Sequence, residues 1–409
     1  MILYFLMAAL FISLAVLEAF NAAFVGFNLL PWFNGMRWLR VHLITLGTLT
    51  EVIFGVLPGL VALHSGLPKP KFRWDIWLLL NGGLLTLLVG IPLVNAVPII
   101  AGGTLVFLAA LLLLIQLAQL RAARPAKVQG QTGDSAGRKF YLAGLSYFLL
   151  GIFIGTGLWL GWMEPLGIQA PLETHIHANN WGLMSLVFAG LIVDFYPQWA
   201  KRPFAWPRSV KAIFWMMVLG AAGLIAGPWL NSLYFTVPGL ILHVSATGWL
   251  LLNVIWPIRG ERAAWTPGMW HLVTSYVWIL APILVAPLII VGAPGIPGPA
   301  VEQNAPQALI YGWVLQFGFA VIPFFFRRAF LPGETAVLGG NWFSLAAVHL
   351  GGLFLWLGIF SLPQRGLLHG VAYALWGAAM IPVALELWRI VRAGWAQLEQ
   401  ASPAASAAD

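Results

Sequence analysis

Glu173-Thr-His175-Ile-His177-Ala-Asn-Asn-Trp-Gly182 runs without a break into Leu183-Met-Ser-Leu-Val-Phe-Ala-Gly190-Leu-Ile-Val-Asp-Phe-Tyr-Pro197. A head carrying two imidazoles therefore opens an apolar run, near 175–198, long enough to cross a hydrocarbon core of about 30 Å as a helix. Comparable runs recur outward in both directions, near 3–28, 41–63, 75–97, 98–120, 140–163, 210–230, 232–256, 266–292, 307–326, 342–361 and 369–391. The chain is 60% hydrophobic and 8% charged, with a mean hydropathy of +0.87, which excludes an ordinary soluble domain. The first run is too long and too weakly charged at its start for a signal peptide, so it is expected to remain as a helix. The sequence predicts an all-α integral membrane protein of about twelve transmembrane helices.

Basic residues set the expected orientation. With the N-terminus inside, the inward loops and tail hold Lys69, Lys71, Arg73, Arg121, Arg124, Lys127, Arg138, Lys139, Lys201, Arg202, Arg208, Lys211, Arg259, Arg262, Arg327, Arg328, Arg389 and Arg392. The outward loops keep Arg37, Arg40 and Arg365, which completes the 21 Lys and Arg. Such bias predicts both termini cytoplasmic, and the expected location is a prokaryotic cytoplasmic membrane. The net charge of +8 then reflects the bilayer as partner and calls for no nucleic acid. With no cysteine, disulfides, iron–sulfur clusters and thiolate-bound metals are excluded. Phosphate-binding glycine loops, HExxH and nucleophile-elbow motifs are lacking. The polar stretch 121–139 reads as a cytoplasmic linker and 394–409 as a disordered cytoplasmic tail.

The motif at His177 has an earlier copy. His42-Leu-Ile-Thr-Leu-Gly47 matches His177-Ala-Asn-Asn-Trp-Gly182, and a second glycine follows eight residues on, at Gly55 and Gly190. Each stretch ends at a proline, Pro58 or Pro197. His42 and His177 are 135 positions apart, and 130 further on Gln307-Ala-Leu-Ile-Tyr-Gly312 keeps the glycine spacing without histidine. The pattern predicts one membrane domain, 1–393, made of three pseudo-repeats of four helices, about 1–120, 140–256 and 266–393. Residues two apart on a helix point about 200° apart, so His175 and His177 face different partners. On the expected topology His42, His175 and His177 all lie toward the outer face.

These features resemble the catalytic subunit of the haem–copper oxidase and nitric oxide reductase superfamily, which has twelve helices in three arcs of four. The His-x-His helix with its glycines and aromatic-Pro end is similar to the family's late His-x-His helix. His42 is similar to its other low-spin haem ligand. The copper site departs from the family, because no two histidines are adjacent and the seventh span has none. The chain is therefore most similar to a divergent, NnrS-like branch linked to nitric oxide. The resemblance implies one or two haems of b type, axial His42 and His177, a second haem on His175, and a diatomic gas, NO or O2. It further implies an oxidoreductase served by a cytochrome c-type or other respiratory subunit. Copper or non-haem iron would need His243, His349 or His369, each of which lies in or at a predicted span.

Other groups extend this expectation. Arg37 and Arg40 precede His42, and Arg365 precedes His369, against the charge bias; such cations suit anionic haem propionates. The intramembrane carboxylates noted are Glu51, Asp194 and Glu386. Glu51, as proton donor, lies about 180° from His42 on a straight α-helix. Asp194 reads as interfacial, and Glu386 pairs with Arg389 at i, i+3. Asn179 and Asn180 read as packing groups, and His64 and His271 as ordinary core histidines. Two alternatives stay open, a proton-coupled secondary transporter and a metal-free scaffold subunit of a respiratory complex.

Overall fold

The computed structural model describes residues 1–30, 34–122 and 136–406. Most of the expected linker, 123–135, lies outside the described residues, as do 31–33 and 407–409. All regular structure among the described residues is helical. Among the described residues eleven helices are long and apolar enough to span a membrane: α1 (Ile2–Gly26), α2 (Arg37–His64), α4 (Ala96–Leu120), α5 (Arg138–Leu160), α6 (Pro171–Ala200), α7 (Pro207–Leu230), α8 (Leu233–Ile258), α9 (Pro267–Ile290), α10 (Gly298–Phe330), α11 (Trp342–Phe360) and α12 (Leu362–Gln397). The apolar α3 (Trp74–Gly90) adds a shorter member at 17 residues. Each matches one of the twelve runs read from the sequence. The chain is an integral membrane protein by this measure.

The chain divides into two compact units, Met1–Gly55 with Ala263–Asp409, and Val56–Arg262. The first boundary falls inside α2, and the second falls between two of the expected repeats. In the first unit α1 packs on α12, α11 and α12 form a hairpin, and α10 lies against α9, α11 and α12. In the second unit α3 with α4 and α7 with α8 form hairpins, while α6 lies against α5 and α7. In lipid the helices gain little from hydrophobic burial against one another, so small residues that allow close approach hold the hairpins together. A side chain at Gly83 would meet Gly102 O and Val106 N, each at 2.9 Å. At Gly220 it would meet Gly239 O at 3.0 Å and His243 N at 2.8 Å.

Burial separates the eleven long spans into two classes. The most apolar windows of α2, α6 and α10 are 78%, 83% and 100% buried, against 22–50% for the other spans. These three carry the repeated motif. The others turn large apolar side chains outward, including Leu17, Leu284 and Tyr234. The last helix continues to Ser406, through part of the expected disordered tail, because Ala396, Gln397, Leu398 and Glu399 are strong helix formers.

Candidate functional site

In the second unit, Pro171 fixes the start of α6 and Glu173 sits in its first turn, where the helix dipole favours a carboxylate. One turn later come His175 and His177. His175 Nδ1 bonds Gly151 O on α5 at 2.9 Å, and His177 Nδ1 bonds Leu224 O on α7 at 2.6 Å. The two rings thus leave α6 in different directions, as their spacing requires. A carbonyl only accepts, so each Nδ1 carries a proton. His175 lies flush against α5, where a side chain at Gly155 would come within 2.7 Å of its Nδ1. Asn179 braces this arrangement by donating to His175 O at 2.9 Å.

His42 in the first unit follows the same rule. Its Nδ1 bonds Trp38 O one turn back at 2.9 Å, and its ring stacks on Trp38 at 4.4 Å and 11°. All three candidate ligands therefore present a protonated Nδ1 to a backbone acceptor that holds the ring in orientation. That is the donor chemistry haem iron takes from histidine.

Directly after each motif head the helix widens. π-helical segments occupy Leu43–Leu49, Ala178–Met184 and Leu309–Val314. In the first, Thr48 Oγ1 and Thr50 Oγ1 donate five residues back, to Leu43 O and Thr45 O. The motif glycine of each segment receives an aromatic ring. A side chain at Gly47 would meet Phe11 Cγ at 2.7 Å, one at Gly182 would meet Tyr147 Cγ at 2.7 Å, and one at Gly312 would meet Trp278 Cδ1 at 2.5 Å. π-helical turns of this kind gather at functional sites. They also correct a sequence expectation: a segment with more residues per turn lies between His42 and Glu51, so the 180° offset of a straight α-helix does not apply.

The carboxylates need three corrections. Glu51 is fully buried on α2, as expected. Glu386 pairs with Arg327 at 2.8 Å on the neighbouring α10, not with Arg389, because a partner on another helix meets it head-on. Asp194 is not merely interfacial. Its side chain is 4% exposed, accepts from Gly137 N at 3.0 Å and from Tyr141 OH at 2.8 Å, and lies 3.5 Å from His64 Nδ1. Glu18 on α1 is a fourth intramembrane carboxylate that the sequence reading passed over, within Coulombic reach of Arg40. An isolated Glu in a long apolar run was the available signal.

His243, His349 and His271 enter hydrogen-bonded seams. His243 Nε2 and Ser185 Oγ are 2.9 Å apart, and Trp181 lies edge-on to His243 at 5.2 Å. Gln316 Nε2 donates to Thr274 Oγ1 at 3.0 Å and to His349 Nε2 at 3.1 Å. His271 Nε2 reaches Asn341 O at 3.2 Å and Ser344 Oγ at 2.9 Å, the ordinary core role expected of it. Among the described residues no three or more His, Asp or Glu converge to hold a metal ion. His349 and His369 lie in the first unit and His243 in the second.

The arginines do assemble, all in the first unit. The Arg40 guanidinium lies 4.7 Å from the Tyr373 ring, and Tyr311 OH donates to Arg40 O at 3.0 Å. Arg37 donates to Gln303 O and lies within Coulombic reach of Arg40, while His369 lies within reach of Arg365 and Arg40. Gln307, which stands at the third motif head in place of histidine, accepts from Tyr373 OH at 3.2 Å. No known protein-family model matches this chain, and no curated protein is significantly similar to it.

Proposed function

We propose that this chain is a haem-binding membrane protein resembling the haem–copper oxidase superfamily, handling electrons and a diatomic gas, NO or O2, near the outer face of the membrane. The observation that carries the reading is the shared geometry of His42, His175 and His177, each with Nδ1 on a backbone carbonyl, the orientation in which Nε2 is the nitrogen that would bind iron. A three-repeat scaffold supports it. Phe11, Tyr147 and Trp278 seat on Gly47, Gly182 and Gly312, and each step along both series is 130–136 positions. The three π-helical segments fall at the same interval. On this scaffold His42 and His177 are equivalent positions; the family resemblance assigns both to b-type haem, with His175 assigned to a second haem. Both termini are cytoplasmic.

When bound, haem supplies a one-electron couple and, at an iron with a single histidine, an open position for a diatomic gas. The chain's own residues fix the rest. Backbone carbonyls hold each imidazole in one tautomer and orientation. Glu51, buried in a dry helix, is placed to hold a proton that chemistry on a gas consumes. Electrons arrive from a cytochrome c-type or other respiratory subunit.

The test is haem occupancy of His42→Ala, His175→Ala and His177→Ala in detergent, each against wild type. Loss of the low-spin signature in both His42→Ala and His177→Ala, with His175→Ala altering only gas binding, supports the assignment. Unchanged spectra in all three variants refute it. A second reading, a proton-coupled transporter, draws on buried Glu51 and the Thr274–Gln316–His349 network; it expects a colourless protein stabilised by its solute.

A further inference from the structure

We infer that the first unit carries a binding site, open to lipid between α9, α10 and α11, for the hydroxyl head of a membrane-soluble alcohol or phenol. Its centre is Gln316 on α10, which is fully buried. Gln316 Nε2 donates to Thr274 Oγ1 on α9 at 3.0 Å and to His349 Nε2 on α11 at 3.1 Å. Thr274 accepts because its own hydrogen goes back to Trp270 O at 2.7 Å. The other end of the same amide, Gln316 Oε1, is buried without a hydrogen-bond partner. One turn before Thr274, His271 turns Nε2 to Asn341 O at 3.2 Å; a carbonyl only accepts, so Nε2 carries a proton. In the neutral ring Nδ1 is then an acceptor, and it too is buried and unpartnered. His271 lies within Coulombic reach of His349 and so belongs to the same cluster.

The hydrogens of this cluster are thus committed while two acceptors remain. Ser275 and Ser344 supply none, since their hydroxyls donate to Leu272 O and Asn341 O. A buried acceptor without a donor is unfavourable, and a ligand that brings an O–H satisfies it. The backbone gives a second, independent sign. Just past Thr274, α9 leaves regular α-helical geometry: Tyr276 N, Trp278 N and Ile279 N each bond three residues back. Such a turn within a span is tolerated where it borders protein or a cavity, and it often marks a functional site. The way in is apolar. Trp270 and Val277, on either side of half-buried Thr274, are 36% and 49% exposed, and Leu353, one turn beyond half-buried His349, is 49% exposed. A ligand entering there comes from the lipid rather than from water.

Two sources share this chemistry, a quinol and a hydroxylated lipid such as a diacylglycerol. Neither rests on the haem reading, and the site needs no haem. The test follows thermal unfolding of the purified protein in lipid nanodiscs, titrated with 4-hexylphenol, its methyl ether, a short-chain quinol or dioctanoylglycerol. A saturable rise in Tm with the phenol is expected, and none with the ether, which has the same shape but no donor. Gln316→Met and His271→Phe should each weaken the apparent affinity roughly tenfold, the loss of one hydrogen bond. A response to the quinol alone assigns the site to quinols, to dioctanoylglycerol alone to a lipid, and to both to the shared hydroxyl. Where a variant fails to fold, the phenol and ether on the wild type still decide. Equal responses to phenol and ether, no saturable shift with any probe, or unchanged affinity in both variants overturns the inference.

Discussion

Replacing Gly182 by Ala places a methyl group where the Tyr147 ring now sits. Tyr147 Cγ lies 2.7 Å from that position. An ordinary carbon–carbon contact is about 3.5 Å, so α5 and α6 must separate locally by roughly 1 Å. Overpacking of this kind costs about 1–3 kcal/mol. The displaced ring also strains the 2.8 Å hydrogen bond from Tyr147 OH to Val218 O, worth about 1 kcal/mol. The expected destabilisation of Gly182→Ala is therefore about 2–4 kcal/mol. Gly248 is the control, because a side chain there meets nothing within 4 Å; Gly248→Ala should be neutral or stabilising by up to about 1 kcal/mol. The assay is reversible unfolding by sodium dodecyl sulfate in mixed micelles, with Tyr147→Gly completing a double-mutant cycle. Relief of the clash predicts a favourable coupling of about 1–3 kcal/mol. Equal stability of Gly182→Ala and wild type, or zero coupling, refutes the notch argument and with it one support of the three-repeat scaffold.

Other consequences are open to direct test. Glu386→Leu leaves Arg327 without its 2.8 Å carboxylate partner and should lower Tm, whereas adding Arg327→Met should restore most of it; a harmless Glu386→Leu contradicts the pairing. Asp194→Asn weakens the tie to Gly137 N and Tyr141 OH, so hydrogen exchange should accelerate at the start of α5 and stay unchanged in α7. The chain contains no cysteine, so single cysteines introduced at Arg208 and at Arg365 report topology; only the second should react with an impermeant maleimide added outside intact cells.

Much of the architecture was legible because the bilayer forces its own length scale on the sequence. Each run of about 20 apolar residues became a helix, since no other continuous backbone satisfies its hydrogen bonds in lipid. The opposed directions of His175 and His177 were legible from helical periodicity alone. The π-helical segments were not, because a widened turn depends on what its glycine receives from another helix. Phe11, Tyr147 and Trp278 give no local sign that they will seat on Gly47, Gly182 and Gly312. The same limit explains Glu386, whose nearest basic residue in sequence is not its partner in space, and Asp194, whose contacts come from 137, 141 and 64. The grouping of Arg37, Arg40 and Arg365 was suggested by their shared departure from the charge bias. Its company of His369, Tyr373 and Glu18 became visible only once α1, α2 and α12 were in place.

The most direct test of the central claim is a reduced-minus-oxidised visible spectrum of the detergent-purified protein, expressed with ample haem, followed by addition of carbon monoxide. The account predicts sharp α and β bands and a carbon monoxide shift affecting part of the haem, one iron being closed by two histidines and the other open. A protein with no Soret band under those conditions contradicts it.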